Sequence, residues 1–412
     1  MTVAPSIDPA RFLHEHLEQA SPDLLRQMLS TFVNTLLSAD ADSVCGVAYG
    51  TVSDERVNRR NGYRHRDFDT RTGTIDVAIP KLRQGTYFPE WLLERRRRAE
   101  KALISVVATS YLLGVSTRRM EGLVQQLGIT GLSKSQVSEM ARDLDGQVAE
   151  FRTRPLDQGP YRFVAADALT MKVREGGRVV NVAVLVATGV NKDGHREVLG
   201  VQVASAKDGA GWLVFFRDLV ARGLTGVKLV TSDAHAGLVA AIGATLPGAA
   251  WQRCRTHYAA NLMSQSPKAS WPWVKTLLHT IYDQASPKEV HAQFDRVLDA
   301  LQLKLPRVAE HLDAARADIT AFTGFPHELW RQIWSNNPNE RLNKEIRRRT
   351  DVVGIFPNRD AIIRLVGAVL AEQHDEWAEG RRYFGLDTLE KTDTMTRPDP
   401  EEATTELTAL SA

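Results

Sequence analysis

The chain has 412 residues, 43% hydrophobic and 25% charged, so it is long enough for two or three domains with ordinary globular cores. Its 52 basic and 50 acidic residues nearly balance, which excludes a uniformly cationic surface and leaves only local basic clusters. With two cysteines, no signal-peptide pattern and no long uncharged apolar run, we expect a soluble cytoplasmic protein without disulfides or a membrane span.

The N-terminal region, residues 1–93, is predicted to contain an amphipathic helix. Ser21, Pro22 and Asp23 supply an N-cap, a proline and an acid for its first turn. The apolar stripe that follows has three- and four-residue spacing and comprises Leu24, Leu25, Met28, Leu29, Phe32, Val33, Leu36 and Leu37. Such a stripe indicates packing, either within the domain or against a second copy of the chain.

A basic, turn-rich segment at residues 56–71 leads into a predicted strand, Thr74–Pro80. Tyr63 and Phe68 stand between its arginines, a combination suited to phosphate contacts and stacking on bases or sugars. We therefore assign residues 1–93 to DNA binding and consider dimerisation there. The candidate DNA contacts are Arg59, Arg60, Arg64 and Arg66. The alternative is a solvated surface hairpin.

Residues 94–157 have the pattern of a helix-turn-helix. A basic run and the apolar helix 102–113 come first, then a helix over 117–127, and Ser133 caps another whose polar face would enter the major groove. The candidate DNA contacts of this region are Arg95, Arg96, Arg97, Lys134, Gln136 and Arg142. Many helical hairpins share this pattern, so that alternative stays open.

After a turn at 157–160 the pattern changes from helical to β. Three β-rich runs, at 161–173, 178–190 and 196–204, are joined by short turns, which predicts an antiparallel meander. The elements predicted next are a helix at 211–222, a strand at 227–231, a helix at 235–246 and a strand at 249–252. This α/β order is that of the ribonuclease H-like fold, whose active site collects acids from the first strand, the fourth strand and a late helix.

The rest of the chain divides around this predicted catalytic core. Residues 158–258 and 335–385 are assigned to the core, and residues 259–334, which show only helical patterns, to an α-helical insertion. Residues 386–412 are rich in Thr, Glu and Pro, so we expect a disordered tail there.

Three carboxylates stand where that fold needs them. Asp167 lies on an otherwise apolar strand face, where an unpaired carboxylate would be costly. Asp233 ends the fourth strand, and Glu340 opens a late helix. Considered singly, Asp233 reads as a helix N-cap and Glu340 as part of a capping box that begins at Asn337. Glu345 is the nearest rival of Glu340.

Oxygen ligands favour a hard cation, so we predict that Asp167, Asp233 and Glu340 bind Mg²⁺ or Mn²⁺, as two ions. Such a pair activates an attacking hydroxyl and stabilises the leaving oxygen of a phosphodiester. The helix after Glu340 adds candidate backbone contacts, Arg341, Lys344, Arg347 and Arg348, although a solvated basic helix would look the same.

Cys254 and His257 form a Cys-x-x-His pair. A structural zinc needs four ligands and no second pair lies nearby in the sequence, so we reject zinc. A hydrogen bond at a helix start and a supporting contact to the acidic site both remain open. The tryptophans at 251, 271, 273, 330 and 334 are expected to be mostly core, although one could stack on an unpaired base.

From about Ser21 to Leu386 the chain resembles bacterial insertion-sequence transposases of the Mutator type. The motifs are NGYRHRDFDTRTGTIDVAIPKLRQGTYFPEW, AADALTMKVR, TSDAHAGL, WQRCRTHYAANL and WSNNPNERLNKEIRRRTDVVGIFPN, of which the last three together are highly specific. This family carries a DDE triad on a ribonuclease H-like core with a helical insertion before the glutamate. The positions that match are Asp167, Asp233 and Glu340, and those of its Cys-x-x-His signature are Cys254 and His257.

The resemblance implies an enzyme that recognises the terminal inverted repeats of its element. It also implies metal-dependent cleavage at the element ends and joining to target DNA, with the protein working as a dimer or larger assembly on DNA. Two alternatives are kept. A nuclease on the same fold would cut without joining, and a DNA-binding regulator with a retired catalytic core would only bind.

Overall fold

A computed structural model of the chain describes residues 22–70, 73–84, 87, 89, 97–112, 133–206 and 208–394. The chain divides into two compact units, each described here by itself. One comprises Met1–Arg95 and Glu379–Arg381, and the other comprises Arg96–Ala378 and Arg382–Ala412. No helix of the described ranges is long and apolar enough to cross a bilayer.

The first unit packs a helix against an antiparallel hairpin. Its elements are α1 (Pro22–Cys45), β1 (Arg60–Thr70) and β2 (Gly73–Leu82). On α1, every fourth residue from position 33 is buried, namely Val33, Leu37 and Ala41. These three side chains pack against the apolar residues of β2. A neighbouring row of the predicted stripe is exposed: Met28, Phe32 and Leu36. The predicted helix and strand are confirmed, but only one side of the stripe is core.

The second unit is built on a mixed β-sheet. Its strands are β3 (Phe163–Glu175), β4 (Arg178–Val190), β5 (Arg196–Ala204), β6 (Leu229–Ser232), β7 (Ala250–Arg253) and β8 (Ile355–Phe356). The spatial order is β5-β4-β3-β6-β7, and β8 also pairs with β3. The predicted antiparallel meander β3-β4-β5 is confirmed, whereas β6, β7 and β8 pair in parallel.

Helices surround this sheet. They are α2 (Arg97–Leu112), α3 (Lys134–Thr153), α4 (Gly209–Ala221), α5 (Ala236–Thr245), α6 (Arg255–Ser264), α7 (Trp271–Tyr282), α8 (Pro287–Lys304), α9 (Pro306–Ala314), α10 (Arg316–Thr320), α11 (Trp330–Ile333), α12 (Asn337–Val353), α13 (Arg359–Glu379) and α14 (Leu386–Thr394). Short 3₁₀ turns occupy Lys268–Ser270, Ala321–Gly324 and His327–Leu329. The segment predicted as a helical insertion is helical as expected.

Alternation along β3 divides the core between the two faces of the sheet. Val164 and Ala166 pack with apolar residues of α4 and α5 on one face. Leu169 and Met171 pack with residues of α2, α3, α12 and α13 on the other. A third apolar cluster is formed mainly by α6 to α11, with Phe163 of β3 among its members. Asp167 belongs to the face covered by α12.

Two predictions about helices need correction or restriction. Residues 386–394 form α14 and bury Leu389 and Thr392, so the predicted disordered tail is wrong there. Residues 395–412 lie outside the described residues, as does the predicted helix over 117–127. The second predicted helix of the helix-turn-helix, α3, begins where expected, because Ser133 and Gln136 form a reciprocal capping box. The assignment to a helix-turn-helix and the domain boundaries stay predictions.

Candidate active site

Asp167 lies where β3 changes its partner along one edge. This edge pairs with β6 over Phe163–Ala165 and with β8 over Lys172–Val173. Between these pairings the Ala166 carbonyl accepts a hydrogen bond from the Asn336 side chain at 3.0 Å instead of from a strand. Asp167 is only 9% exposed and follows that carbonyl directly. The break between β6 and β8 thus leaves room for the start of α12 beside this carboxylate.

Asp233 directly follows the neighbouring strand β6 and lies level with Asp167. Ala165 and Thr231 are register partners in the parallel pair, and the two aspartates lie two residues beyond them. Side chains two residues apart on a strand share a face. The N-cap position of α5 is occupied by His235, so the interpretation of Asp233 as a helix cap is wrong.

Glu340 lies in the first turn of α12, whose N-cap is Asn336 rather than Asn337. This shift places Glu340 one position past the capping-box position, and its own N–H donates to the Asn336 carbonyl at 2.9 Å. The capping-box interpretation is therefore wrong. Within the described chain, Oε1 of Glu340 is buried and has no hydrogen-bond partner. An acceptor in that state is suited to a cation or a donor from a ligand.

Glu345, the rival carboxylate, is bound by a neighbour on its own helix. Its Oε2 accepts from the Arg349 guanidinium at 2.9 Å, and the Arg349 side chain is 8% exposed. Arg348 approaches the same oxygen at 3.6 Å. This carboxylate stabilises α12, which favours Glu340 as the acid of the site.

Three asparagines that the sequence reasoning missed fix α12 on the sheet. Asn336 donates to the Ala166 carbonyl as described above, and Nδ2 of Asn343 donates to Oδ2 of Asp167 at 2.6 Å. Oδ1 of Asn339 accepts from the Thr188 hydroxyl of β4 at 2.6 Å. Positions 336, 339 and 343 lie on one helix face, so the spacing of the asparagines in NNPNERLN was the available signal.

The start of α6 is joined to the segment before α12 by three hydrogen bonds, which we call the α6–α12 junction. The Asn336 N–H donates to Sγ of Cys254 at 3.2 Å, and the Arg255 N–H donates to the Trp334 carbonyl at 2.9 Å. The Thr256 hydroxyl donates to Oδ1 of Asn337 at 3.3 Å. Cys254, fully buried, therefore supports the segment that carries Glu340.

His257, in the first turn of α6, interacts electrostatically with both aspartates. Its pKa is raised to about 9, first by interaction with the Cys254 sulfur and also by the negative charges of Asp167 and Asp233, against the opposing effect of burial. His257 is therefore a cation near neutral pH. A positive charge there reduces the repulsion between the two carboxylates.

The three acids are thus carried by adjacent elements. That they bind a metal ion together stays a prediction. Among the described residues no three His, Cys, Asp or Glu side chains form a group that could hold a metal ion. The donor set nevertheless fits a hard cation, because it consists of carboxylate oxygens and one of them, Oε1 of Glu340, is buried without a partner in the described chain.

The candidate DNA contacts differ in how free their side chains are. Those that are exposed are Arg59, Lys134, Gln136, Arg142, Arg341, Lys344, Arg347 and Arg348. Gln136 is engaged in the capping box, and Arg66 is half-buried. Arg60, 1% exposed in its side chain, pairs with Asp42, and Arg64 pairs with Glu379. Arg95 and Arg96 lie outside the described residues, and for Arg97 only the backbone is described.

Comparison with known proteins gives one consistent result. The family model described as "Transposase, Mutator family" matches residues 3–380. The chain is 70% identical to the transposase for insertion sequence element IS1081 of Mycobacterium tuberculosis, over the whole of both chains. It is 37% identical to the ISRM5 transposase of Rhizobium meliloti, over 90% of this chain and 92% of that one. It is 34% identical to the IS256 transposase in transposon Tn4001 of Staphylococcus aureus, over 89% of this chain and 94% of that one.

Proposed function

The chain belongs to the Mutator family of insertion-sequence transposases, and from this premise we propose that it binds the terminal inverted repeats of its element, cuts DNA at the element ends and joins them to target DNA. The acids of this reaction are Asp167, Asp233 and Glu340. The observation that carries the proposal is the position of Asp167, level with Asp233 and beside the first turn of α12.

The strand order supports assigning this sheet to the ribonuclease H-like class. Three antiparallel strands followed by two parallel ones, in the order β5-β4-β3-β6-β7, are what the sequence-based assignment requires. The acids then come from the first strand, the end of the fourth strand and a helix that follows a long helical segment. These are the three elements from which the sequence analysis expected a ribonuclease H-like active site to take its acids.

Asp167, Asp233 and Glu340 would hold Mg²⁺ or Mn²⁺, as two ions. When bound, such ions supply activation of a hydroxyl nucleophile and stabilisation of the leaving oxygen. Asn343 orients the Asp167 carboxylate by occupying Oδ2, and Asn336 and Asn339 hold the turn that carries Glu340.

The exposed side of α12 supplies the DNA-backbone contacts in this proposal. Arg341, Lys344, Arg347 and Arg348 are all exposed, while the opposite side of the helix is buried through Leu342 and Ile346. A duplex that reaches Glu340 would pass these cations, each of which can neutralise a phosphate. Salt should therefore weaken binding of wild type more steeply than binding of a variant that lacks two of them.

A Mg²⁺-dependent strand-transfer assay tests the proposal with DNA that carries the element end, taken from the inverted repeats that flank the reading frame. Wild type is expected to cut and to join, whereas Asp233→Ala and Glu340→Ala should bind the same DNA and do neither. Glu310→Ala, which removes an exposed carboxylate of α9, is the matched control. Cutting without joining would identify a nuclease, binding alone a regulator, and joining by both alanine variants would refute the site.

A further inference from the structure

A groove of about 860 Å³ lies beside the candidate active site, between α6 and α7. The residues that define it are Arg255, Ala259, Met263, Trp271, Lys275 and Trp334. Thr256 and Asn337, which are hydrogen-bonded to each other in the α6–α12 junction, also line it. Thr256 precedes His257 on α6, and Asn337 precedes Glu340 on α12 by about one turn, so the groove borders both helices that carry residues of the candidate site.

The wall on α7 presents an aromatic ring to solvent. Trp271 is 41% exposed, which is unusual for so large an apolar side chain. Its indole N–H donates to the Ser266 carbonyl at 3.1 Å, so the ring is held in one orientation. Ala259 and Met263 of α6 continue the apolar lining. A fixed, exposed aromatic face of this kind is suited to stacking against a planar ligand.

The charges around the groove have one sign. Among the described residues that line it, Arg255 and Lys275 are cationic and none is acidic. The Arg255 guanidinium lies over the rings of Tyr282 and Trp334, with centroid distances of 4.7 and 4.9 Å, which fixes its charge at the base of the groove. The pKa of His279 is lowered by burial and by these two cations, in agreement with a positive local potential. The groove therefore combines an aromatic wall with an anion-attracting end.

We propose that this groove binds one unpaired nucleotide of the element-end DNA, adjacent to the phosphate that is cut. The base stacks on Trp271, and the nucleotide's phosphate lies near Lys275 and Arg255. A purely apolar ligand would leave both cations unused, and a paired base cannot reach a concave wall without leaving the helix. The proposal rests on the proposed function, because it takes the substrate of that same site as its ligand.

The test measures binding of element-end duplexes that are fully paired or carry one mismatch at successive positions around the cut. A mismatched base is already partly unpaired, so wild type should bind one such duplex about tenfold more tightly than the paired one. Trp271→Ala should lose this gain, and Trp271→Phe should keep most of it, because the stacking face is retained. Lys275→Gln should weaken binding of every duplex and reduce the salt slope by about one, whereas exposed Lys288→Gln should not.

Each outcome supports or overturns the proposal. Loss of the position-specific gain in Trp271→Ala alone supports it, provided that circular dichroism and thermal unfolding match wild type. No mismatch gain in wild type, or an unchanged gain in Trp271→Ala, overturns it. A change in oligomer size with unchanged DNA binding would also overturn it and would assign the groove to a protein segment. Joining by wild type without any mismatch gain refutes only this inference, whereas a gain without cutting or joining refutes only the proposed function.

Discussion

Replacing Asn343 by alanine removes one donor to the Asp167 carboxylate and leaves the Ala168 N–H, which donates to Oδ1 at 2.8 Å. Nδ2 of Asn343 lies 2.6 Å from Oδ2 of Asp167, and both residues are 9% exposed, so water replaces the lost donor poorly. A hydrogen bond to a charged group contributes about 1.5–3 kcal/mol. If that stabilisation is needed to hold the carboxylate in its reactive orientation, the rate should fall about tenfold to a hundredfold, since 1.36 kcal/mol corresponds to a factor of ten.

The assay is single-turnover strand transfer, measured over a range of Mg²⁺ concentrations. Groups that hydrogen-bond a metal-binding carboxylate affect affinity for the ion about tenfold to a hundredfold, so half-maximal rate should also require more Mg²⁺. Asn181→Ala on β4 is the matched control, because Asn181 is exposed. Denaturant unfolding of both variants separates a loss of orientation from a loss of fold.

An Asn343→Ala protein that joins DNA at the wild-type rate and with the wild-type Mg²⁺ dependence would refute the positioning role. The same variant would be uninformative only if it failed to fold. In that case Asn343→Ser, which keeps a short donor, should recover the fold and retain part of the rate. An Asn343→Ser rate that lies between those of wild type and a folded Asn343→Ala is the result that the geometry favours.

Three further predictions concern stability. Arg60→Ala should lower the free energy of unfolding by about 1.5–3 kcal/mol, because the buried Arg60 guanidinium pairs with Asp42 of α1. Replacing exposed Arg59 by alanine should change that free energy by less than about 0.5 kcal/mol. Equal midpoints of urea unfolding for the two variants would contradict this prediction. Gly367→Ala should cost about 1–3 kcal/mol, since a Cβ there would meet a valine of α3 at 2.4 Å, and Gly243→Ala, with open space, should stabilise by about 0.5–1 kcal/mol in thermal unfolding. His257 has a folded pKa of about 9, above its ordinary value of 6.5, so its stabilising charge is fully present below pH 6.5 and is lost as pH rises through 9. In EDTA the unfolding midpoint should fall over that range more in wild type than in His257→Gln, and parallel curves would argue against the raised pKa.

Much of the sheet was predictable because its signals are local. The turns at 175–177 and 191–194 set the meander, and the Ser133 capping box set the start of α3. The interpretation of Asp233 as a helix cap and of Glu340 as part of a capping box failed because a shift of one or two residues at a helix start decides which side chain caps it. These shifts lie within the ordinary uncertainty of helix boundaries read from a sequence.

The asparagine contacts could not be predicted in the same way. Asn336 and Asn343 bond residues of β3 that lie 170 and 176 positions earlier in the chain, so no local pattern specifies their partners. Strand β8, with two residues, is too short to show a period. The break in the β3 edge exists only because β8 pairs with β3 beyond the end of β6. The position of Asp167, between the β6 and β8 pairings, therefore could not be predicted either.

The α6–α12 junction holds Glu340 near the two aspartates whatever the length of the helical segment between α6 and α12. Cys254, Arg255 and Thr256 bond the segment 334–337 directly, so both ends of the intervening helical segment are held at one place. The entropic cost of closing a loop grows only slowly with its length, so residues can be added to or removed from surface turns of that segment at little cost to the site. The helices between the junction's two sides are therefore free to diverge in size and surface chemistry while Glu340 keeps its place beside Asp167.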